Sequence, residues 1–479
     1  MFLLQRRPTI SLLLTSICIL IIVVNALALG KPRRFTEAIR HDIARYKGMV
    51  HRVQWRSTLP PPKRRVAMEE PIMQETQDEE DPPIGAREAP LKSIIDGSVK
   101  LPMYAAADYG MGLYFVDVEL GEPPKKLRMV ADTGSDLTWV KCTKDPQGTL
   151  PDGRGYMAAQ STTFQTIGCD TPTCKDEFMS LASLDICPNP HAPCLYNYSY
   201  GIDDQTVTYG MFGKETVTVH TTKNTTVRME KILVGCSEEY YGKANMKEAD
   251  GILGLGINPY SFSLHAVNLF GGTFQYCLVD HLSHTNKSSY LIFGDQREKA
   301  PTYGFMRYTS LRTNILAPYL WVNVKGVSIG RKMLDIPPLV WFHENGGTIL
   351  DSGTALTYWA QPAYRVIMDE LIAFLAKEHP KIPDYGGDGT LDFEYCFNTT
   401  TSPLDPSMVP RLEIHFTDGA RFKPHVKSYI IDDSPEVKCI GFLEAMGGMH
   451  IIGNIMQQNY LWEFDLHHAM IGFSPSTCS

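Results

Sequence analysis

Two short stretches of this 479-residue chain carry one pattern. The first is Val130-Ala131-Asp132-Thr133-Gly134-Ser135-Asp136-Leu137-Thr138-Trp139. The second is Ile349-Leu350-Asp351-Ser352-Gly353-Thr354-Ala355-Leu356-Thr357-Tyr358. Both read apolar run, Asp, hydroxyl, Gly, hydroxyl, one variable residue, Leu, Thr, aromatic. The flanking hydroxyls can hydrogen-bond the carboxylate, and the glycine lets the backbone turn sharply. Two carboxyls brought face to face cannot both ionise easily, so they hold one proton between them. One is then a general base toward water, and its protonated partner an acid. Such a site needs no nucleophilic serine or cysteine, no cofactor and no metal.

The elements around each copy must deliver the carboxyl. β-Branched and other apolar residues lead into each Asp, as in a buried strand ending on a loop. Downstream of the first copy comes Ala249-Asp250-Gly251-Ile252-Leu253-Gly254-Leu255-Gly256, and downstream of the second His450-Ile451-Ile452-Gly453-Asn454-Ile455. Two apolar residues precede a glycine in both, a place where another backbone can pass close. The same order in both halves predicts two homologous lobes related by a pseudo-twofold. The Gly251 to Gly256 spacing is not that of a dinucleotide loop, and no βαβ pattern surrounds it. The first lobe reads as mainly β, with residues 114–120 alternating like a half-buried strand. Residues 321–329 alternate in the second lobe, and Gln361-Pro362 opens an amphipathic helix to about His379. Val366, Ile367, Leu371, Phe374 and Leu375 form its apolar side.

The D-T-G-S and D-S-G-T motifs, each followed by an apolar-apolar-Gly element, resemble those of the pepsin-like aspartic peptidases. Phe274-Gln275-Tyr276-Cys277-Leu278 and Gly453-Asn454-Ile455-Met456-Gln457-Gln458-Asn459 are similar to the plant nepenthesin-like branch. The resemblance implies a mainly β, bilobal fold with the active site between the lobes, and an aspartic endopeptidase. It casts Asp132 and Asp351 as catalytic, with Thr133, Gly134, Ser135, Ser352, Gly353 and Thr354 as active-site support. Tyr200 matches the family's flap tyrosine, and Trp139 the residue placed beside it. The flap departs from pattern: Ile202-Asp203-Asp204-Gln205 replaces the usual Asp-Gly-Ser tip, which alters the turns available there. By the same analogy Cys396 pairs with Cys439, while Cys478 must reach back to a partner, Cys236 being one candidate. The fold also includes non-catalytic plant members that inhibit other enzymes and whose motifs are degraded. Both motifs are intact here.

Composition agrees with a globular, two-domain protein: 43% hydrophobic, 20% charged, formal net charge −8. No basic face for nucleic acid is evident, so the expected partners are protein or peptide substrates, and the expected state is a monomer. Residues 1–29 pair Arg6 and Arg7 with a long apolar run and a small-x-small Ala26-Leu27-Ala28, which predicts a signal peptide, with an uncleaved signal anchor as the rival. A membrane contact is expected only through that anchor. Residues 30–108 run from basic to acidic through proline clusters, as a linker or, by the family resemblance, a prosegment covering the carboxyls. The lobes are placed at 109–300 and 301–479. Of eleven cysteines, Cys18 lies in the leader; the remaining ten suit five bridges in an oxidising compartment. Their spacings do not match zinc-ligand pairs, and His281 and His284 are read as loop residues. Asn197, Asn224, Asn286 and Asn398 head glycosylation sequons. The expected address is the secretory pathway, extracellular or vacuolar, with a membrane-anchored or chloroplast location as alternatives.

Overall fold

Each copy of the motif sits on a loop between two strands, and a third strand is inserted between them. The computed structural model describes residues 95–478, apart from 110, 144–154, 179–180, 182, 201–205, 243–247, 282–287, 295–301, 303, 314–318, 384, 386–392 and 446–447. The first four strands are β1 (Val99–Ala105), β2 (Tyr114–Leu120), β3 (Lys125–Asp132) and β4 (Thr138–Lys141). The strand Gly251–Gly254 runs parallel to β3, with Asp132 opposite Gly254, and antiparallel to β4, with Trp139 opposite Ile252. In the second half His450–Ile452 runs parallel to Thr348–Leu350 and meets Thr357–Ala360 antiparallel at Tyr358. The wiring is the same in both.

The inserted strand explains two features of the repeated sequence. A Cβ on Gly254 would lie 2.6 Å from the Asp136 carbonyl oxygen, and one on Gly453 would lie 2.1 Å from that of Leu356. Only glycine fits where backbones pass so closely. Gly254 N–H donates to Thr138 Oγ1 at 3.1 Å, and Gly453 N–H to Thr357 Oγ1 at 3.2 Å. The threonine six residues after each Asp thus pins the third strand to the Asp loop.

One antiparallel sheet joins the lobes. Its successive neighbours are β1, Ser289–Phe293, Thr273–Cys277, Tyr460–Asp465, Met470–Pro475 and Arg307–Arg312. The halves meet where Thr273–Cys277 pairs with Tyr460–Asp465, and Phe274 stacks on Phe464 with ring centroids 4.6 Å apart. The sheet takes in β1, upstream of residue 109, which pairs with both Ser289–Phe293 and β2. β2 alternates as expected, one face buried and Asp117 and Glu119 half-exposed on the other, with Phe115 the exception. Tyr114, Val116, Val118 and Leu120 enter the main core while Phe115 packs in the cluster around Trp139. The predicted helix spans Ala363–Leu375, ending short of His379, with Tyr364, Ile367, Met368, Leu371 and Leu375 buried.

Five disulfides close the fold. Cys396 lies directly opposite Cys439 on neighbouring strands and is bonded to it, with Cα atoms 4.1 Å apart. Cys478 pairs with Cys277, not with Cys236. The reason is register: Tyr460–Asp465 lies between Thr273–Cys277 and Met470–Pro475, bringing the C-terminus over Cys277. Cys236 lies opposite Val140 in the first lobe, next to Cys142, and bonds that residue. Cys169–Cys187 and Cys174–Cys194 clip the loop-rich insertion. Cys169, Cys174 and Cys187 offer sulfurs within 4.8 Å of one another, but all three are held in disulfides and are not thiolate donors.

Candidate active site

Asp132 ends β3 and Asp351 follows Thr348–Leu350, both completely buried. Gly134 N–H donates to Asp132 Oδ1 at 2.8 Å, and the Ser135 hydroxyl donates to Oδ2. The second loop repeats this: Gly353 N–H donates to Asp351 Oδ1 at 2.7 Å, and Thr354 Oγ1 to Oδ2 at 2.5 Å. In each loop the backbone amide two residues on and the hydroxyl three residues on hold the carboxylate. Both carboxyls are thus held in place by hydrogen bonds from their own loops.

The loops grip each other through the hydroxyls between Asp and Gly. Thr133 N–H donates to Ser352 Oγ at 3.1 Å, and Ser352 N–H to Thr133 Oγ1 at 2.8 Å. Each hydroxyl then donates across the same divide, Thr133 to Leu350 O at 3.2 Å and Ser352 to Ala131 O at 2.9 Å. Four reciprocal bonds tie the lobes at this point. The second carboxyl lies against the loop of the first: a Cβ on Gly134 would stand 2.6 Å from Asp351 Oδ2. The predicted support residues of both loops are therefore brought together.

A buried polar layer lies behind the second loop, and sequence reading assigned it no role. Asn454 donates through Nδ2 to Ser352 O at 3.0 Å and to Gly112 O at 2.8 Å. Gln457 donates to Ile452 O at 2.7 Å and to Asp351 O at 3.3 Å, and accepts from the Tyr276 hydroxyl. Burial, and then the Asp351 charge, keep the Tyr276 phenol protonated well above its ordinary range. Gln458 donates to Tyr114 OH at 3.0 Å, and Tyr114 donates to Val279 O. His281, read as a loop residue, lies in a turn but is buried against Tyr114. The available signal was a cluster of amides, Asn454, Gln457 and Gln458, directly after an apolar strand. Buried amides must find partners.

On the other side of the first loop, Trp139 Nε1–H donates to Tyr200 OH at 2.8 Å, with both rings buried. The two predicted flap residues thus meet. Tyr200 ends the strand Leu195–Tyr200, which pairs with Thr206–His220 as a hairpin. The atypical tip, 201–205, lies outside the described residues, as do Asn286, His284 and residues 1–94. Asn197, Asn224 and Asn398 are exposed. Among the described residues no helix is long and apolar enough to cross a membrane.

Fold and site together define a bilobal β protein with paired, mutually braced carboxyl loops. Two family models match, "Xylanase inhibitor N-terminal" over 114–295 and "Xylanase inhibitor C-terminal" over 319–475. "Aspartyl protease family protein 2" of Arabidopsis thaliana is 32% identical over 389 residues, covering 80% of this chain and 74% of that protein. "Aspartic proteinase nepenthesin-1" of Nepenthes gracilis is 29% identical, covering 81% and 83%. Among solved structures, basic 7S globulin from soybean superposes with a TM-score of 0.61 over 80% of this chain and 97% of that one; at 19% identity it speaks for the fold alone. The chain belongs to the aspartyl protease family, in the pepsin-like superfamily and related to its nepenthesin-type plant members, and is an aspartic endopeptidase by class.

Proposed function

We propose that Asp132 and Asp351 form one catalytic unit that hydrolyses peptide bonds in protein substrates with a shared, activated water. The observation that carries this reading is the reciprocal Thr133–Ser352 grip with mirrored hydrogen bonds to both carboxyls. Paired carboxyls of aspartic proteases are known to share one proton. The ionised member takes a proton from water as it attacks the scissile carbonyl. The protonated member polarises that carbonyl and then supplies a proton toward the leaving amine. The titration belongs to the pair, so neither aspartate has a private value. Thr133, Gly134, Ser135, Ser352, Gly353 and Thr354 hold the carboxyls, and Tyr200 with Trp139 forms the base of a flap over substrate.

The descriptions of the two family models favour a second reading, a protein that binds and inhibits another enzyme. Intact supports around both carboxyls favour the peptidase, because a pure binding role does not need them. Cleavage of a denatured protein across pH 3 to 7, with and without pepstatin, separates the two (about the range in which a carboxyl pair shares a proton). Acid-favoured cleavage that disappears in Asp132→Asn and in Asp351→Asn is expected. A folded, processed, inactive wild-type chain would reject the peptidase.

Our reading extends to the precursor. Residues 1–29 direct the chain into the secretory pathway, as a signal peptide or as an anchor, and 30–108 act as a prosegment or linker whose last stretch supplies β1. Lobes at 109–300 and 301–479 follow, with glycans at Asn197, Asn224, Asn286 and Asn398. The mature enzyme acts as a monomer outside the cell or in the vacuole, the membrane surface and chloroplast being the alternatives. Within the family the chain resembles the plant aspartic protease NANA, through Leu278-Val279-Asp280-His281-Leu282-Ser283 and Tyr460-Leu461-Trp462-Glu463-Phe464-Asp465-Leu466.

A further inference from the structure

The Asn454 side chain is completely buried and bonded to three separate segments. Its Nδ2 uses both hydrogens, one on Ser352 O in the second Asp loop and one on Gly112 O ahead of β2. Its Oδ1 faces His281 Nε2 at 2.9 Å. Because both amide hydrogens go to carbonyls, Oδ1 must be an acceptor, and His281 must therefore carry its proton on Nε2. The imidazole lies flat on the Tyr114 ring, with centroids 4.5 Å apart at an interplanar angle of 24°. Among the described residues none offers Nδ1 a partner. The neutral Nε2–H tautomer is the form this pocket accepts, since a second proton on Nδ1 would be a buried donor with no acceptor among the described residues.

We propose that His281 is a positioning residue for the second carboxyl, acting through Asn454 on the backbone of the Ser352 loop. The proposal rests on the reading of Asp132 and Asp351 as the catalytic pair. Its physical content is a chain of three steps. His281 orients the Asn454 amide; Asn454 then holds Ser352 O from the second lobe and Gly112 O from the first; Ser352 carries half of the grip that aligns the two Asp loops. Removing the imidazole donor leaves Oδ1 of a buried amide unsatisfied and lets that amide turn. One rotation would release two carbonyls, one in each lobe. Reacting groups displaced by about 1 Å can lose about a hundredfold in rate, so a slack loop is expected to reduce kcat.

The pocket also sets how His281 responds to acid. Burial lowers its affinity for a proton, opposed by the bond to Asn454 and by the Asp280 carboxylate beside it in the chain. Asp280 is itself ion-paired with Lys427 at 2.7 Å. Among the described residues the other titratable group on the ring is the Tyr114 phenol, which burial keeps protonated. The imidazole therefore stays neutral to lower pH than an exposed histidine would.

The test uses the protein expressed from the full chain, with wild type and Asp351→Asn in the same peptide-cleavage assay. His281→Leu is expected to lower kcat by roughly tenfold to a hundredfold with KM changed less than threefold, about what loosening one catalytic loop would do. His281→Gln, which keeps an N–H donor but does not titrate, is expected to recover most of that kcat. Asn454→Ala should cost as much as His281→Leu, and the double variant little more than either, because both act through one chain of bonds. Imidazole ¹⁵N shifts, assigned by loss of the signal in His281→Gln, should report the Nε2–H tautomer at pH 7, where the ring is neutral. Unchanged kcat in a folded His281→Leu, additive losses in the double variant, or an Nδ1–H tautomer would overturn the proposal while leaving the catalytic pair intact. Should His281→Leu fail to fold, an Asn454→Ala chain with wild-type kcat overturns it equally. An inactive wild type removes the underlying reading and the proposal with it.

Discussion

The two Asp loops are near copies in front and unlike behind. In front, both carboxyls receive an amide from the glycine two residues on and a hydroxyl three residues on. Behind, the residue after the inserted glycine is Leu255 in the first lobe and Asn454 in the second. Leu255 joins the apolar core, whereas Asn454 heads a polar layer with Gln457, Tyr276 and His281. The position three residues before that glycine differs as well, being Gly251 in one lobe and His450 in the other. Duplication therefore preserved the parts that meet at the pseudo-twofold, where each loop is the other's partner. Away from that axis each loop packs on a different neighbour, and nothing held the copies alike.

The sharpest way to break this comparison is at the inserted glycines, where the copies should fail together. Gly453→Ala puts a Cβ 2.1 Å from Leu356 O, and Gly254→Ala puts one 2.6 Å from Asp136 O. Backbone cannot yield as a side-chain tip can, so each should destabilise its lobe by about 3 kcal/mol, Gly453→Ala by more. Urea titrations of both variants check this, and a Gly453→Ala midpoint equal to wild type would mean that the close approach is not real.

His450 separates the lobes by pH. Its Nδ1 accepts from Ala360 N–H at 3.0 Å and its Nε2 faces Val340 O at 3.1 Å, an arrangement that uses the neutral ring. Burial pushes its pKa down from 6.5 to about 4, the Val340 bond opposing only part of this. Between those values the unfolded chain binds a proton that the folded chain refuses. This group's contribution is therefore fully present above about pH 6.5 and lost as pH falls toward 4, a change of about 3 kcal/mol. Second-lobe stability followed by denaturation from pH 7 to 4 should fall more steeply in wild type than in His450→Gln. Parallel slopes would remove His450 from the account. The first lobe, with Gly251 in that place, should show no such component.

A smaller effect is expected where the lobes touch. Thr133→Val and Ser352→Ala each delete two of the four reciprocal bonds, so each should cost about 1–2 kcal/mol. The double variant should cost less than the sum, since the four bonds belong to one contact. Strict additivity, read from thermal or urea unfolding, would show that the two hydroxyls act on their own lobes instead of across the divide.

What could be read from sequence follows the same division. The Asp motifs, the threonine six residues on and the downstream glycine are short-range or repeated, and a pattern stated twice exposes its own geometry. Strand alternation gave β2 its two faces but not the burial of Phe115, because the cover for that ring comes from residues far along the chain. Cys396–Cys439 follows from the family resemblance; the partner of Cys478 stays open in the sequence because it depends on the order of strands in the joining sheet. Asn454 and His281 carry no role that the sequence exposes. Their meaning lies in an encounter across 173 residues of chain, which no local pattern reports.

The first loop has its own distinct neighbour in the Trp139–Tyr200 pair, and there the smallest effect is expected. Trp139→Phe keeps a ring in the cluster beneath the hairpin but deletes the Nε1–H bond to Tyr200 OH. A lost hydrogen bond of about 1 kcal/mol corresponds to roughly a fivefold change in an equilibrium constant. If the pair serves the flap, that change belongs to substrate binding, so KM should rise about fivefold with kcat nearly unchanged. Steady-state kinetics on one peptide decide it. A fall in kcat at constant KM would instead place Trp139 behind Asp132, as Asn454 is placed behind Asp351, and the two loops would be more alike than their sequences suggest.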